Sequence, residues 1–109
     1  MIDGLWTAEF GSSVGVFGGG VAVFKDGRIL GGDGGYFYLG DYQVTGNSLR
    51  ATINVFPFIE DYESAFKTVG RNFTLDLEGS LIDDKTATAQ GQPREMPGLR
   101  LGVKLTKRA

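Results

Sequence analysis

Apolar and polar residues alternate with a period of two through most of this chain, and nothing else in it limits the fold so strongly. In Ser48–Phe56, Leu49, Ala51, Ile53 and Val55 alternate with Arg50, Thr52 and Asn54. In Asn72–Glu78, Phe73, Leu75 and Leu77 alternate with Thr74, Asp76 and Glu78. Leu99–Leu105 sets Leu99, Leu101, Val103 and Leu105 against Arg100, Gly102 and Lys104, and Leu5–Phe10 sets Trp6, Ala8 and Phe10 against Leu5, Thr7 and Glu9. Such segments are strands with one face to bury. Gly19–Lys25, Arg28–Gly32, Tyr36–Tyr42 and the weaker Thr86–Gln90 bring the number to about eight, joined by short connections.

Turn chemistry agrees with that division. Asp26-Gly27 is a hairpin signal, Gly46-Asn47 marks the next turn, and Asp83-Asp84 stands where a further hairpin is due. Only Phe58–Gly70 drops the alternation, and Glu60–Lys67 within it fits either one or two helical turns or a long loop. Eight one-sided strands in 109 residues must cover each other's apolar faces within one domain. Closing an antiparallel up-and-down sheet into a small barrel does this and removes the edges; a sandwich is the second choice. The 18 glycines favour the barrel, where strands must bend sharply.

Composition excludes several function classes. There is no cysteine and no histidine, so disulfides, thiolate zinc sites and imidazole-based catalysis are all absent. No activated nucleophile or poised base stands out, and the expectation is a non-enzymatic protein with no cofactor and no metal. A net charge of −2 speaks against nucleic acid as a partner. No apolar run is long enough for a helical membrane span, and the start Met1-Ile2-Asp3-Gly4 lacks a basic leader, so a cytoplasmic location is expected. The basic stretch Arg94, Arg100, Lys104, Lys107 and Arg108 reads as a solvated strand face and tail. Gly18-Gly19-Gly20 and Gly31-Gly32-Asp33-Gly34-Gly35 are flanked by strands on both sides, which is wrong for a phosphate loop.

Binding is what remains. Tyr36–Tyr42 is apolar on both faces, with Tyr36 and Tyr38 opposite Phe37 and Leu39, so one face is assigned to the interior and one to a partner. Because tyrosine suits interfaces, Tyr36 and Tyr38 are the candidate contact residues of a homodimer. Glu60, Asp61 and Glu63, on the long irregular segment, are a candidate acidic contact with a protein partner. Trp6, Phe10, Ile53, Val55, Phe73 and Leu75 are the candidate lumen residues, able to fill a barrel or to hold a hydrophobic small molecule. Ala8, Ala22 and Ala51 would leave room in it.

Gly4-Leu5-Trp6 resembles the Gly-x-Trp signature that opens lipocalin barrels. That resemblance implies that Trp6 closes one end beside a late arginine, Arg100 or Arg108. A fuller resemblance is to the GrlR family, small lipocalin-like negative regulators of type III secretion. It is carried by Asp3-Gly4, Gly27, Gly31-Gly32-Asp33, Tyr38-Leu39-Gly40 and the apolar strand Leu49–Val55. It implies a homodimeric barrel that sequesters a transcriptional activator. The family's named regulator carries an acidic run just after the Tyr-x-Gly strand. Here those positions read Val44-Thr45-Gly46-Asn47, which leaves Glu60-Asp61-Tyr62-Glu63 as the candidate replacement.

Overall fold

A computed structural model describes residues 2–68 and 71–109. Eight antiparallel strands follow one another around a closed barrel. They are β1 (Gly4–Ser12), β2 (Phe17–Lys25), β3 (Arg28–Gly32), β4 (Tyr36–Thr45), β5 (Ser48–Pro57), β6 (Phe73–Asp83), β7 (Thr86–Pro93) and β8 (Leu101–Lys107). Each strand pairs with its sequence neighbours, and β1 closes the ring on β8 from Trp6↔Lys107 to Ser12↔Leu101. All eight predicted strands are present, and the barrel rather than the sandwich is formed.

The differences lie at the ends. β8 begins at Leu101 rather than Leu99, because the Leu99 amide turns back to the Met96 carbonyl and Arg100 is bonded to Ser13. The β6–β7 turn falls on Asp84-Lys85, one residue later than expected; Asp83 Oδ1 accepts the Lys85 amide, and the pairing slips between Leu81 and Asp83. The Asp26-Gly27 turn has φ of 51° and 82° at its two residues, the doubly left-handed geometry that matches strand twist.

Alternation sorts the side chains as predicted. Trp6, Ala22, Phe24, Ile29, Leu49, Ala51, Val55, Phe73, Leu75, Leu77, Ala87, Ala89, Leu101 and Leu105 form the buried core. A ring of eight strands has a tight circumference, and several inward positions are therefore glycine. At Gly79 an added Cβ would lie 1.9 Å from the Thr88 carbonyl oxygen, and at Gly91 1.8 Å from that of Asp76. The sheet bends so hard at β6–β7 that no side chain fits.

Up-and-down topology sends the turns at Asp26-Gly27, Gly46-Asn47 and Asp84-Lys85, with both termini, to one end, the floor. The longer connections all lie at the other. The floor is aromatic: Trp6, Phe24 and Tyr42 pack in sequence, each pair tilted by 55°, with centroids 5.9 and 5.1 Å apart. Residues 2 and 3 strap it, since Trp6 Nε1 donates to the Ile2 carbonyl at 2.7 Å and Tyr42 OH to Asp3 Oδ1 at 2.8 Å. The cation in register with Trp6 is Lys107, not Arg100 or Arg108. Arg108 instead donates from Nε to the Thr7 hydroxyl, and Arg100 lies at the opposite end of β8.

Candidate functional site

Three features could engage another molecule: the lumen, the segment that covers it, and the outer wall. The lumen holds a cavity of 110 Å³. Phe10, Ile53, Val55, Phe73 and Leu75 line it as predicted. Trp6 does not: it lies in the packed floor, 1% exposed, because β1 delivers it at the narrow, strapped end. Room is left where the wall is small, at Ala8, Ala22, Ala51 and Ala89.

Residues 58–68 cover the open end. They form turns and extended chain, with no helix among the described residues; Val69 and Gly70 of the ambiguous stretch lie outside those residues. Ser64 organises the cover. Its hydroxyl accepts the amides of Phe66 and Thr68 at 3.1 and 3.2 Å and lies 2.6 Å from Thr68 Oγ1. That tight turn drives Phe66 down into the barrel, edge-on to Phe73 at 5.5 Å. Two rim residues hold the cover in place. Ser12 Oγ donates to the Ala65 carbonyl at 2.6 Å, and Tyr36 OH donates to the Tyr62 carbonyl at 2.9 Å with that of Thr68 at 3.2 Å. The Tyr62 ring packs directly on the Gly35 backbone, and an added Cβ at Gly35 would lie 2.2 Å from it and push it aside.

Asp33, in the sequence only a member of the Gly31-Gly32-Asp33 motif, is the polar centre of this end. Its Oδ1 accepts the amides of Gly35 and Tyr36 at 3.0 and 2.9 Å, and its Oδ2 accepts the Tyr38 hydroxyl. The sequence signal was an Asp ahead of two glycines, the pattern of a side chain that caps its own turn. Gly-Gly-Asp and Tyr-x-Gly, five residues apart, are thus two halves of one hydrogen-bonded unit.

Tyr36 and Tyr38 consequently face the lumen, which corrects their assignment to an outer contact. Tyrosine's polar tip finds its partner inside, on Asp33 and the cover. Burial, followed by Asp33, pushes both phenols above the usual tyrosine range; burial and then the bond to Asp3 do the same for Tyr42. The sign of the stability effect follows. Up to about pH 10 all three are protonated folded or unfolded, while at higher pH the unfolded chain releases protons that the native barrel retains. The contribution of these three tyrosines to stability is therefore constant below about pH 10 and falls above it. In an alkaline absorbance titration these three tyrosines should ionise together with cooperative loss of the near-ultraviolet dichroism signal. Gradual ionisation in a still-folded barrel would contradict their buried, bonded state.

The outer wall has two unlike halves. In β1–β4, Leu5, Val23, Leu30 and Leu39 are consecutive partners in register and form one exposed apolar row. Val21 and Phe37 flank Gly32 in a second row, which the half-buried Phe56 of β5 extends by stacking on Phe37 at 5.2 Å. Val21 is 48% exposed and Leu30 46%, although both sit in regular strands. Across β5–β7 the wall is polar apart from Phe56 and the exposed Ile82, and there Arg50 pairs with Glu78 at 3.1 Å and Arg94 grips Asp76 through two 2.8 Å bonds. Arg94 holds the Asp76 carboxyl below the usual range. Glu60, Asp61 and Glu63 are exposed on the cover, beside the exposed Phe58 and Ile59.

No family model matches the chain, and no curated protein matches it. Among solved structures it is similar to a redesigned beta barrel, at 10% identity, over 99% of this chain and 92% of that one, with a TM-score of 0.54. A likeness at that identity shows the fold alone. Among the described residues, no helix is long and apolar enough to cross a membrane.

Proposed function

We propose that the protein is a non-enzymatic binding module in which two copies join through the apolar outer wall of β1–β4 and their acidic covers engage a protein partner. The observation that carries this reading is the two-row apolar surface, confined to one half of the exterior. A face of that continuity on an otherwise polar barrel is costly to leave in water. On β4 the contact residues are Phe37 and Leu39. The cover, with Glu60, Asp61 and Glu63 around Phe58 and Ile59, offers an apolar centre with an acidic rim, which suits a basic, partly apolar segment of a partner. The resemblance to the GrlR family supports a regulatory role, with a transcriptional activator as the sequestered partner in the cytoplasm.

Sedimentation velocity of the wild type and of Leu30→Lys/Leu39→Lys tests the pairing. Both side chains point outward, so the double variant should keep its dichroism spectrum and melt only somewhat lower, because its two lysines face each other in register and the pairing is lost. The expected result is a dimer for the wild type and a monomer for the variant. A monomeric wild type at tens of micromolar would end the pairing proposal.

A second reading rests on the cavity: the lumen carries a small hydrophobic molecule. Its support is an apolar lining that the wall alanines leave unfilled beneath a hydrogen-bonded cover. A ligand mass present in the native spectrum and lost on denaturation would support it.

A further inference from the structure

We infer that the lumen selects small neutral or cationic molecules with an apolar body and one hydrogen-bond donor, and rejects carboxylates. This rests on the lumen reading and goes beyond it by naming the ligand class. The argument is a count of hydrogen atoms. Four polar side chains face the cavity: Asp33, Tyr36, Tyr38 and Ser64.

The hydrogens of all three hydroxyls are committed. Tyr38 donates to Asp33, and Tyr36 donates to the carbonyls of the cover. Ser64 already accepts two amides, so its own hydrogen is taken up by its hydroxyl neighbours, Thr68 Oγ1 and the Tyr36 oxygen. What stays open are lone pairs, on Asp33 Oδ2 and on the Tyr38 oxygen. A carboxylate accepts about four hydrogen bonds, and Asp33 receives three. Among the described side chains, the polar end of the cavity therefore offers acceptors and a negative charge, with no free donor.

A ligand hydroxyl or amine aimed at this end completes the set. A ligand carboxylate would find no donor and would face Asp33 across an apolar space, where like charges repel strongly. Volume sets the size. An apolar cavity of about 150 Å³ holds benzene, with its six non-hydrogen atoms, in another protein, so 110 Å³ suits a ligand of roughly four to six.

Two isosteric pairs test this, 1-butanol against n-pentane and isobutyramide against isobutyrate. Each is titrated into the full chain while the methyl resonances of Ala8, Ala22, Ala51 and Leu49 are followed. 1-Butanol should bind at least about tenfold more tightly than n-pentane, the worth of one hydrogen bond to a charged group. Isobutyramide should shift the lumen methyls at concentrations where isobutyrate does not. Asp33→Asn keeps an acceptor for the two amides and removes the charge, so it should shrink the isobutyramide-to-isobutyrate gap. Tyr38→Phe removes the phenol oxygen but returns a lone pair to Asp33 Oδ2 and keeps the charge, so it should keep the butanol preference at about tenfold or more. If n-pentane binds as well as 1-butanol, or isobutyrate as well as isobutyramide, the lumen reading survives and the selectivity inference is overturned. If no probe moves the lumen methyls, the lumen reading itself fails.

Discussion

Gly79→Ala should destabilise the barrel by about 4 kcal/mol, beyond the 1–3 kcal/mol usual for overpacking. The new methyl carbon would be placed 1.9 Å from the Thr88 carbonyl oxygen and 2.7 Å from the Ala89 Cα. Both obstacles are backbone, held in the β6–β7 ladder where Gly79 pairs with Ala89, so neither can rotate away. Relief requires the two strands to separate at the point where the barrel turns its corner. Gly91→Ala makes the mirror-image clash with the Asp76 carbonyl, and the double variant should not fold. For a domain of this size, whose whole stability is about 5–15 kcal/mol, the single loss should lower the melting temperature by roughly 20 °C. Gly102→Ala is the control. It is also a strand glycine, but nothing lies within 4 Å of its added Cβ, and the change should stay within about 0.5 kcal/mol. Equal effects at the two positions in urea melts would mean that the cost is generic to strand glycines and not a matter of the corner.

Asp33→Ala should cost about 3 kcal/mol, and Asp33→Asn about 1 kcal/mol. Alanine leaves the Gly35 and Tyr36 amides and the half-buried Tyr38 hydroxyl without their acceptor. An abandoned buried partner costs roughly 1–3 kcal/mol, less where water reaches it, as it does beside the exposed Gly34. Asparagine keeps an oxygen for the two amides and can exchange the direction of the bond to Tyr38. A secondary effect should accompany the loss. Tyr36 follows directly on the Asp33 turn and reaches the cover through its hydroxyl, so Asp33→Ala should speed amide exchange in residues 62–68 more than in β6 or β7. An alanine variant that melts within 1 kcal/mol of the wild type would show that the unit does not hold this end together.

The interior was legible because it depends on local pattern. Leu49, Ala51 and Val55, or Phe73, Leu75 and Leu77, point inward wherever the sheet closes, since period two is a property of the strand itself. The Asp26-Gly27 hairpin was legible for the same reason. The choice of face on β4 was not. Tyr36–Tyr42 carries aromatic residues on both sides, so periodicity states that the faces differ and cannot say which is inside. The general preference of tyrosine for interfaces pointed outward, and the structure turned it inward. Asp33, five residues before Tyr38, accepts its hydroxyl on the lumen side and satisfies the polar tip there.

The outer apolar face shows the same limit from the other side. Leu5, Val23, Leu30 and Leu39 are each unremarkable on their own strands and become one row only through the registers of three separate pairings. Segment 58–68 has no periodic pattern at all. It is placed by Ser12 and Tyr36, each more than 20 residues away in the chain. The sequence by itself determined the eight strands, their turns and the apolar surface to be enclosed, because alternation and turn chemistry act between neighbours along the chain. Only the tertiary structure decided which wall is left apolar, which hydroxyls face the cavity and what covers it. Those properties arise from hydrogen bonds and registers between residues that the chain keeps far apart until the barrel closes.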